Sequence, residues 1–206
     1  MLKRELREMR SEGRKQRHKL LLKMIEQNPL MTDEDISSSL GVSVSTVRLD
    51  RSMLAIPQVR ERTRRMAERA AKRLRSLRSD EVVGELVELE LDRGALSILD
   101  VTPEMAFRRT DRAGDYYIYA QATSLAIASI NAEFVVAAAA RLKYTSPAHL
   151  GEKIIARAKV GTHKGNKYVV SVHSRIGDRE IFVGRFVVAA LGAENSENKE
   201  GDEICL

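Results

Sequence analysis

Near Asp80 the spacing of apolar residues changes from that of helices to that of strands, and the charge balance changes sign at the same place. Upstream, apolar residues recur every three or four positions among charged ones, which lines one face of a helix. Downstream come short apolar runs bounded by glycine, the pattern of strands. A chain with this break must bury two differently built cores, and 206 residues suffice for two small domains. Residues 1–80 carry 20 Lys/Arg against 11 Asp/Glu, a net of +9; the rest carries 15 against 18, a net of −3, and the two sum to the +6 of the whole chain. A localised positive field favours a polyanionic partner, against the plainer reading of a solvated charged face.

The basic half divides into helical segments. A charged arm over 1–14 precedes a helix from Lys15 to Gln27, with Leu20, Leu21, Met24 and Ile25 on one side; Asn28-Pro29 stops it. Thr32 is placed to cap a second helix with Asp35 three residues on, and Gly41 to end it. Ser43 caps a third, Val44 to Leu54, with Val44, Val47, Leu49 and Met53/Leu54 as candidates for its buried face. From Ile56-Pro57 a thin stripe of Val59, Met66, Ala70, Leu74 and Leu77, with eight arginines between Arg60 and Arg78, reads as a basic amphipathic linker helix.

Two short helices joined by a glycine turn match a helix-turn-helix, whose second helix enters the major groove; a purely structural helical pair is the alternative. On the first reading Ser43, Ser45, Thr46 and Arg48, with Arg51 one turn further, face the groove, and Lys15, Arg17 and Lys19 meet phosphates. The expected domains are 1–55 for this module, 56–79 for the linker helix, 80–192 for the second core and 193–206 for a disordered polar tail.

Beyond Asp80, VVGELVELEL and GALSILDV read as strands, and Gln121–Ala132 as a helix of small residues packed closely on a sheet. Four more strand-like runs follow, FVVAAAARLKYT, KIIARAKVGTHK, KYVVSVHSRIG and REIFVGRFVVAAL, with Lys164-Gly165-Asn166 and Gly177-Asp178 as hairpin turns. The fold class is α+β, and a central helix wrapped by an antiparallel meander describes a hotdog domain.

Little catalytic chemistry is visible. The central helix carries no carboxylate until Glu133, and Asp111 and Asp115 ahead of it are explained by the helix dipole and a solvated loop. An acyl-CoA thioesterase with an appended basic region is the enzyme alternative. The four histidines lack metal-ligand spacing, and the one cysteine, Cys205, offers no disulfide. No run approaches the roughly 18 apolar residues of a membrane helix and the charged start has no secretory core, so the expectation is a cytoplasmic protein without cofactor or metal. The loop FRRTDRAGDYYIYAQ joins arginines to aromatics before a helix, a setting for a carboxylate or phosphate ligand, unless the tyrosines are core and the arginines merely solvated.

The run TVRLDRSMLAIPQVRERTR, with GELVELELDRGALSILDVT, AQATSLA and the later GRF, resembles the FapR family of bacterial repressors of fatty-acid and phospholipid synthesis, from about Lys15 to Leu191. The resemblance implies a homodimer with a winged-type helix-turn-helix, a linker helix and a hotdog effector domain. It implies double-stranded operator DNA as partner. It also implies malonyl-CoA or malonyl-acyl carrier protein as the effector, held at the hotdog dimer interface and releasing the repressor. The effector site it points to comprises Phe107, Arg112, Gly114, Gln121 and Thr123. The family's usual loop reads Ala-Arg-Gly and two histidines, then Gln-Ala-Asn. Here Ala113-Gly114-Asp115, Tyr116-Tyr117 and Gln121-Ala122-Thr123 stand in those places, so the arginine that pairs with a malonyl carboxylate falls on Gly114, and Arg112 is the nearby substitute.

Overall fold

The computed structural model describes residues 2–192, with side chains from Gly13 onward. The polar tail expected from residue 193 lies outside the described residues. The described residues divide into two compact units, one up to Met66 and one from Ala67.

The first unit is helical: α1 (Leu2–Gln27), α2 (Asp33–Leu40), α3 (Val44–Met53) and the start of α4 (Val59–Ala71). Helix α1 takes in the charged arm rather than starting at Lys15. Helix α2 begins in a full capping box, Thr32 accepting from the Asp35 N–H and the Asp35 carboxylate accepting from the Thr32 N–H. It ends at Gly41, whose φ of 63° is the left-handed cap that glycine adopts without strain. Ser43 caps α3 by accepting from the Thr46 N–H. Buried Leu21, Ile36 and Val47 form the core of this unit, with Met24, Met31, Leu40, Val42, Leu54 and Ile56 packed on it.

Among the described residues of this unit there is no strand, so the expected wing is absent. The physical reason lies between Leu54 and Val59: Pro57 leads straight into α4, and no alternating run is available to build a hairpin. The expected linker helix over 56–79 occupies Val59–Ala71, and the chain turns from Lys72 onward.

The second unit is α+β. Strands β1 (Glu85–Glu90), β2 (Gly94–Asp100), β3 (Phe134–Tyr144), β4 (Lys153–Lys164), β5 (Lys167–Ile176) and β6 (Arg179–Leu191) form one antiparallel sheet in the order β1-β2-β4-β5-β6-β3. Gly165 and Gly177, at φ 57° and 56°, open the two-residue hairpin loops between β4 and β5 and between β5 and β6. Helix α5 (Asp115–Ala128) starts six residues before the expected Gln121 and packs on β2, β3, β4, β5 and β6. It is apolar nearly all round, as a helix enclosed by a sheet must be. Ala122, Ala126 and Ala128 are fully buried and let the sheet come close; Ile118 and Leu125 meet Phe182 and Phe186 in the same core. This is the hotdog arrangement of a helix wrapped by a curved sheet. Strand β3 lies at the sheet's edge, and Ala137 to Ala140 are exposed. No helix among the described residues is long and apolar enough to cross a membrane.

Candidate functional site

Helix α3 is oriented by ion pairs rather than by apolar burial alone. Arg51 is 7% exposed; its guanidinium donates to both Asp33 oxygens at 3.0 and 3.3 Å and to the Ile56 carbonyl at 3.0 Å. Asp50 is 1% exposed and accepts from Arg17 and from His18, the latter at 2.9 Å. The inward face of α3 is therefore Val47, Asp50, Arg51 and Leu54, and Leu49 and Met53 point outward at 62% and 54% exposure. This corrects three expectations. Arg51 fastens α3 to α2 and does not face outward. Arg17 spends its charge on Asp50 rather than on an external anion. Leu49 and Met53 are not core, because the two paired charges set the helix phase and turn them out.

The outward face of α3 is Ser45, Arg48, Leu49, Ser52 and Met53. Arg48 is 62% exposed, with long ion pairs to Asp33 at 3.5 Å and Glu34 at 3.7 Å, so it rests on α2 without being fixed there. The Ser43 hydroxyl lies 2.8 Å from those of Ser45 and Thr46, which draws these three expected contact residues into the cap itself. Lys15 and Lys19 are exposed on α1.

Arg62 was not singled out from the sequence. It is buried, and its guanidinium donates to three carbonyls, Pro29 at 3.0 Å, Met31 at 2.7 Å and Pro57 at 2.7 Å. Burial, followed by the charge of Arg51, lowers its pKa from the usual value, and Asp33 opposes this. The signal that could have found it is the pair of prolines, whose loops leave carbonyls for a donor from another segment to satisfy.

Hydrogen bonding from Arg17 holds the Asp50 carboxyl below its ordinary range; burial opposes it and His18 adds to it. A depressed carboxylate pKa stabilises the fold above the unfolded value of about 3.9 and loses that contribution as pH falls through the folded value. The helical unit is expected to lose stability below about pH 4, and Asp50→Asn to start less stable and respond less to acid. Thermal melts by circular dichroism from pH 7 to pH 3 check this; an unchanged acid response in Asp50→Asn would count against it.

In the second unit the loop before α5 is held by its backbone. The Phe107 N–H donates to the Arg112 carbonyl at 2.9 Å, Ala113 to Ala148 at 2.8 Å, Gly114 to Met105 at 2.8 Å and Leu150 to Asp111 at 2.7 Å. On this frame Phe107, Arg112 and Gly114 gather at the start of α5. Phe107 meets Tyr116 edge-on at 6.4 Å, and Tyr116 lies on Tyr117 at 4.6 Å. The Arg112 guanidinium bonds both oxygens of Asp115 at 3.1 and 3.2 Å. A side chain at Gly114 would meet the Tyr116 ring, whose nearest atoms lie 2.6 and 2.7 Å from the Cβ position. Asp111 sits 3.2 Å from the His149 ring.

Gln121 and Thr123 are not brought to this cluster by their contacts. Gln121 is fully buried and turns its amide to Ser97 of β2, donating to the hydroxyl at 3.1 Å; its Oε1 and the Thr123 Oγ1 are buried without a partner among the described residues. Two unpaired buried acceptors of this kind mark a place where a ligand, water or second chain finds ready bonds.

Transcription factor FapR of Thermoanaerobacter sp. strain X514 is 40% identical to this chain over 189 residues, spanning 92% of this chain and 94% of that protein. The proteins of the same name from Geobacillus sp. strain WCH70 and Exiguobacterium sibiricum are each 38% identical, covering 92% and 89% of this chain and 96% and 98% of their own. Among solved structures, a sigma28-regulated virulence protein from Campylobacter jejuni matches 62% of this chain and 91% of its own with a TM-score of 0.57 at 26% identity. An uncharacterized protein from Pyrococcus horikoshii matches 53% and 84% at 24% identity with a TM-score of 0.51, a likeness of fold. No family model matches the chain.

Proposed function

Because the chain belongs to the FapR family of transcription factors, we propose that it is a repressor of fatty-acid and phospholipid synthesis genes that binds operator DNA through α2 and α3 and is released by a malonyl thioester. It is a regulator and not an enzyme. The observation that carries the DNA reading is the outward face of α3: a helix capped by Ser43 and anchored by ion pairs presents Ser45, Arg48, Leu49 and Ser52 as exposed side chains. A second helix so held is what major-groove docking requires. The assignment by segment is 1–55 for DNA binding, 56–79 for the linker and 80–192 for the effector and dimerisation domain. The free edge of β3, 11 residues long and rich in exposed alanine, supports a homodimer formed by pairing with a second copy.

The effector, malonyl-CoA or malonyl-acyl carrier protein, meets the loop at Phe107, Arg112 and Gly114. Arg112 supplies the charge for the malonyl carboxylate by giving up Asp115. Release from DNA needs the ligand to bind the two states of the protein unequally, with a typical coupling of about 1–3 kcal/mol. The direct test is to titrate malonyl-CoA into the complex of the full chain with operator duplex. Dissociation that acetyl-CoA does not produce supports the reading; a complex indifferent to malonyl-CoA and malonyl-acyl carrier protein overturns it.

Arg48 and Arg51 separate by mechanism. Arg48→Ala is expected to weaken operator binding about 10- to 100-fold with the melting temperature unchanged, since a bidentate base contact is worth about 1–3 kcal/mol. Arg51→Ala is expected to lower the melting temperature as well, because it removes the buried guanidinium that bonds both Asp33 oxygens and the Ile56 carbonyl. Melting curves beside gel shifts check both; a fully stable Arg51→Ala would remove its structural role.

A further inference from the structure

We infer that Leu49 reads thymine: its side chain packs on the 5-methyl group of a thymine in the major groove and sets part of the operator's sequence. The inference rests on the DNA-binding reading above and adds the chemical identity of one base.

Polarity is inverted on helix α3. Along α3 two charged residues, Asp50 and Arg51, lie inside, and two large apolar ones, Leu49 and Met53, lie outside. Scattered exposed leucines are ordinary and need no account. These two sit one turn apart on a single face, while buried charges that must be paired to be tolerated occupy the opposite one. A local rule broken in both directions on one short helix is the pattern expected where function has set the surface.

Leu49 stands in the middle of that face. Ser45 lies four residues before it and Ser52 three after, and Arg48 is its neighbour. The edges of the groove offer donors and acceptors to serine and arginine, and one apolar feature, the thymine methyl. Of the groups along the base edges, the thymine methyl offers an exposed leucine the most apolar area to bury. Arg48 beside it is suited to guanine N7 and O6. Leu49 is 62% exposed and, among the described residues, lies outside the packed core of its unit, so its loss leaves the fold intact and its effect can be read on DNA alone.

The test uses the full chain and a random pool of DNA duplexes. Bound duplexes are selected, and in the enriched sequence each thymine is replaced in turn by deoxyuridine, which removes only the methyl. At one thymine the replacement is expected to weaken the wild type about 3- to 10-fold, the scale of one buried methyl. Leu49→Ala is expected to bind the thymine and deoxyuridine duplexes equally. A wild type indifferent to every replacement overturns the inference, as does a penalty that survives unchanged in Leu49→Ala. A pool from which nothing is enriched overturns the DNA-binding reading itself, a distinguishable failure.

Discussion

Arg62→Ala is expected to cost the helical unit about 3–5 kcal/mol, the cost of removing one buried charged donor from several partners. The guanidinium serves three carbonyls from two loops, Pro29 and Met31 before α2 and Pro57 before α4. Without it those oxygens face a space vacated by a buried arginine side chain. A unit of this size holds roughly 3–10 kcal/mol in total, so the loss is about a third or more of its stability. Arg62→Lys is expected to recover only part, since one ammonium cannot aim at three separate acceptors as a planar fork does. Circular dichroism melts of wild type and both variants check this; an Arg62→Ala unit within a few degrees of wild type would remove Arg62 from this role.

The second large effect concerns the effector loop. Gly114→Arg alone is expected to gain little affinity for malonyl-CoA. The Cβ position is already taken by the Tyr116 ring, and Asp115 stands next to the incoming guanidinium. Gly114→Arg with Asp115→Gly and Tyr116→His, the family's usual sequence at these places, is expected to tighten malonyl-CoA binding about 10- to 100-fold, the value of a new bond between two charged groups. Arg112→Ala in the wild-type loop is expected to weaken it. Calorimetry with malonyl-CoA on all four proteins measures this. A single Gly114→Arg as tight as the triple variant would show that Tyr116 and Asp115 obstruct nothing.

Much of the fold was legible because periodicity and turn chemistry agreed. The last four strands fall on the runs that alternation and glycine turns mark out, and both capped helices of the first unit follow from Thr32, Gly41 and Ser43. Helix α5 starts early because Tyr116, Tyr117 and Tyr119 are helical, though their bulk and ring chemistry read as a loop beside arginines. On α3, Leu49 and Met53 fall at the spacing of core residues and yet lie on the outer face. Only the charged partners of Asp50 and Arg51, 18 to 33 positions away in sequence, decide which way that helix turns, and no local pattern carries them. The effector loop was legible as a cluster of residue types. That Asp115 neutralises Arg112, and that Tyr116 fills the space over Gly114, are matters of placement only the folded chain reveals.

The inward turn of Arg17, Arg51 and Arg62 has a consequence for how this protein responds to salt. Each cation that meets a phosphate displaces a condensed counterion and steepens the fall of log affinity with log salt by about 0.9. These three are engaged with Asp50, Asp33 and backbone carbonyls before any DNA arrives. They release no counterions on binding. The ionic-strength dependence of operator binding is therefore shallower than the arginine and lysine content of the basic half suggests, and acid residues such as Asp33 and Asp50 set that slope from inside the fold.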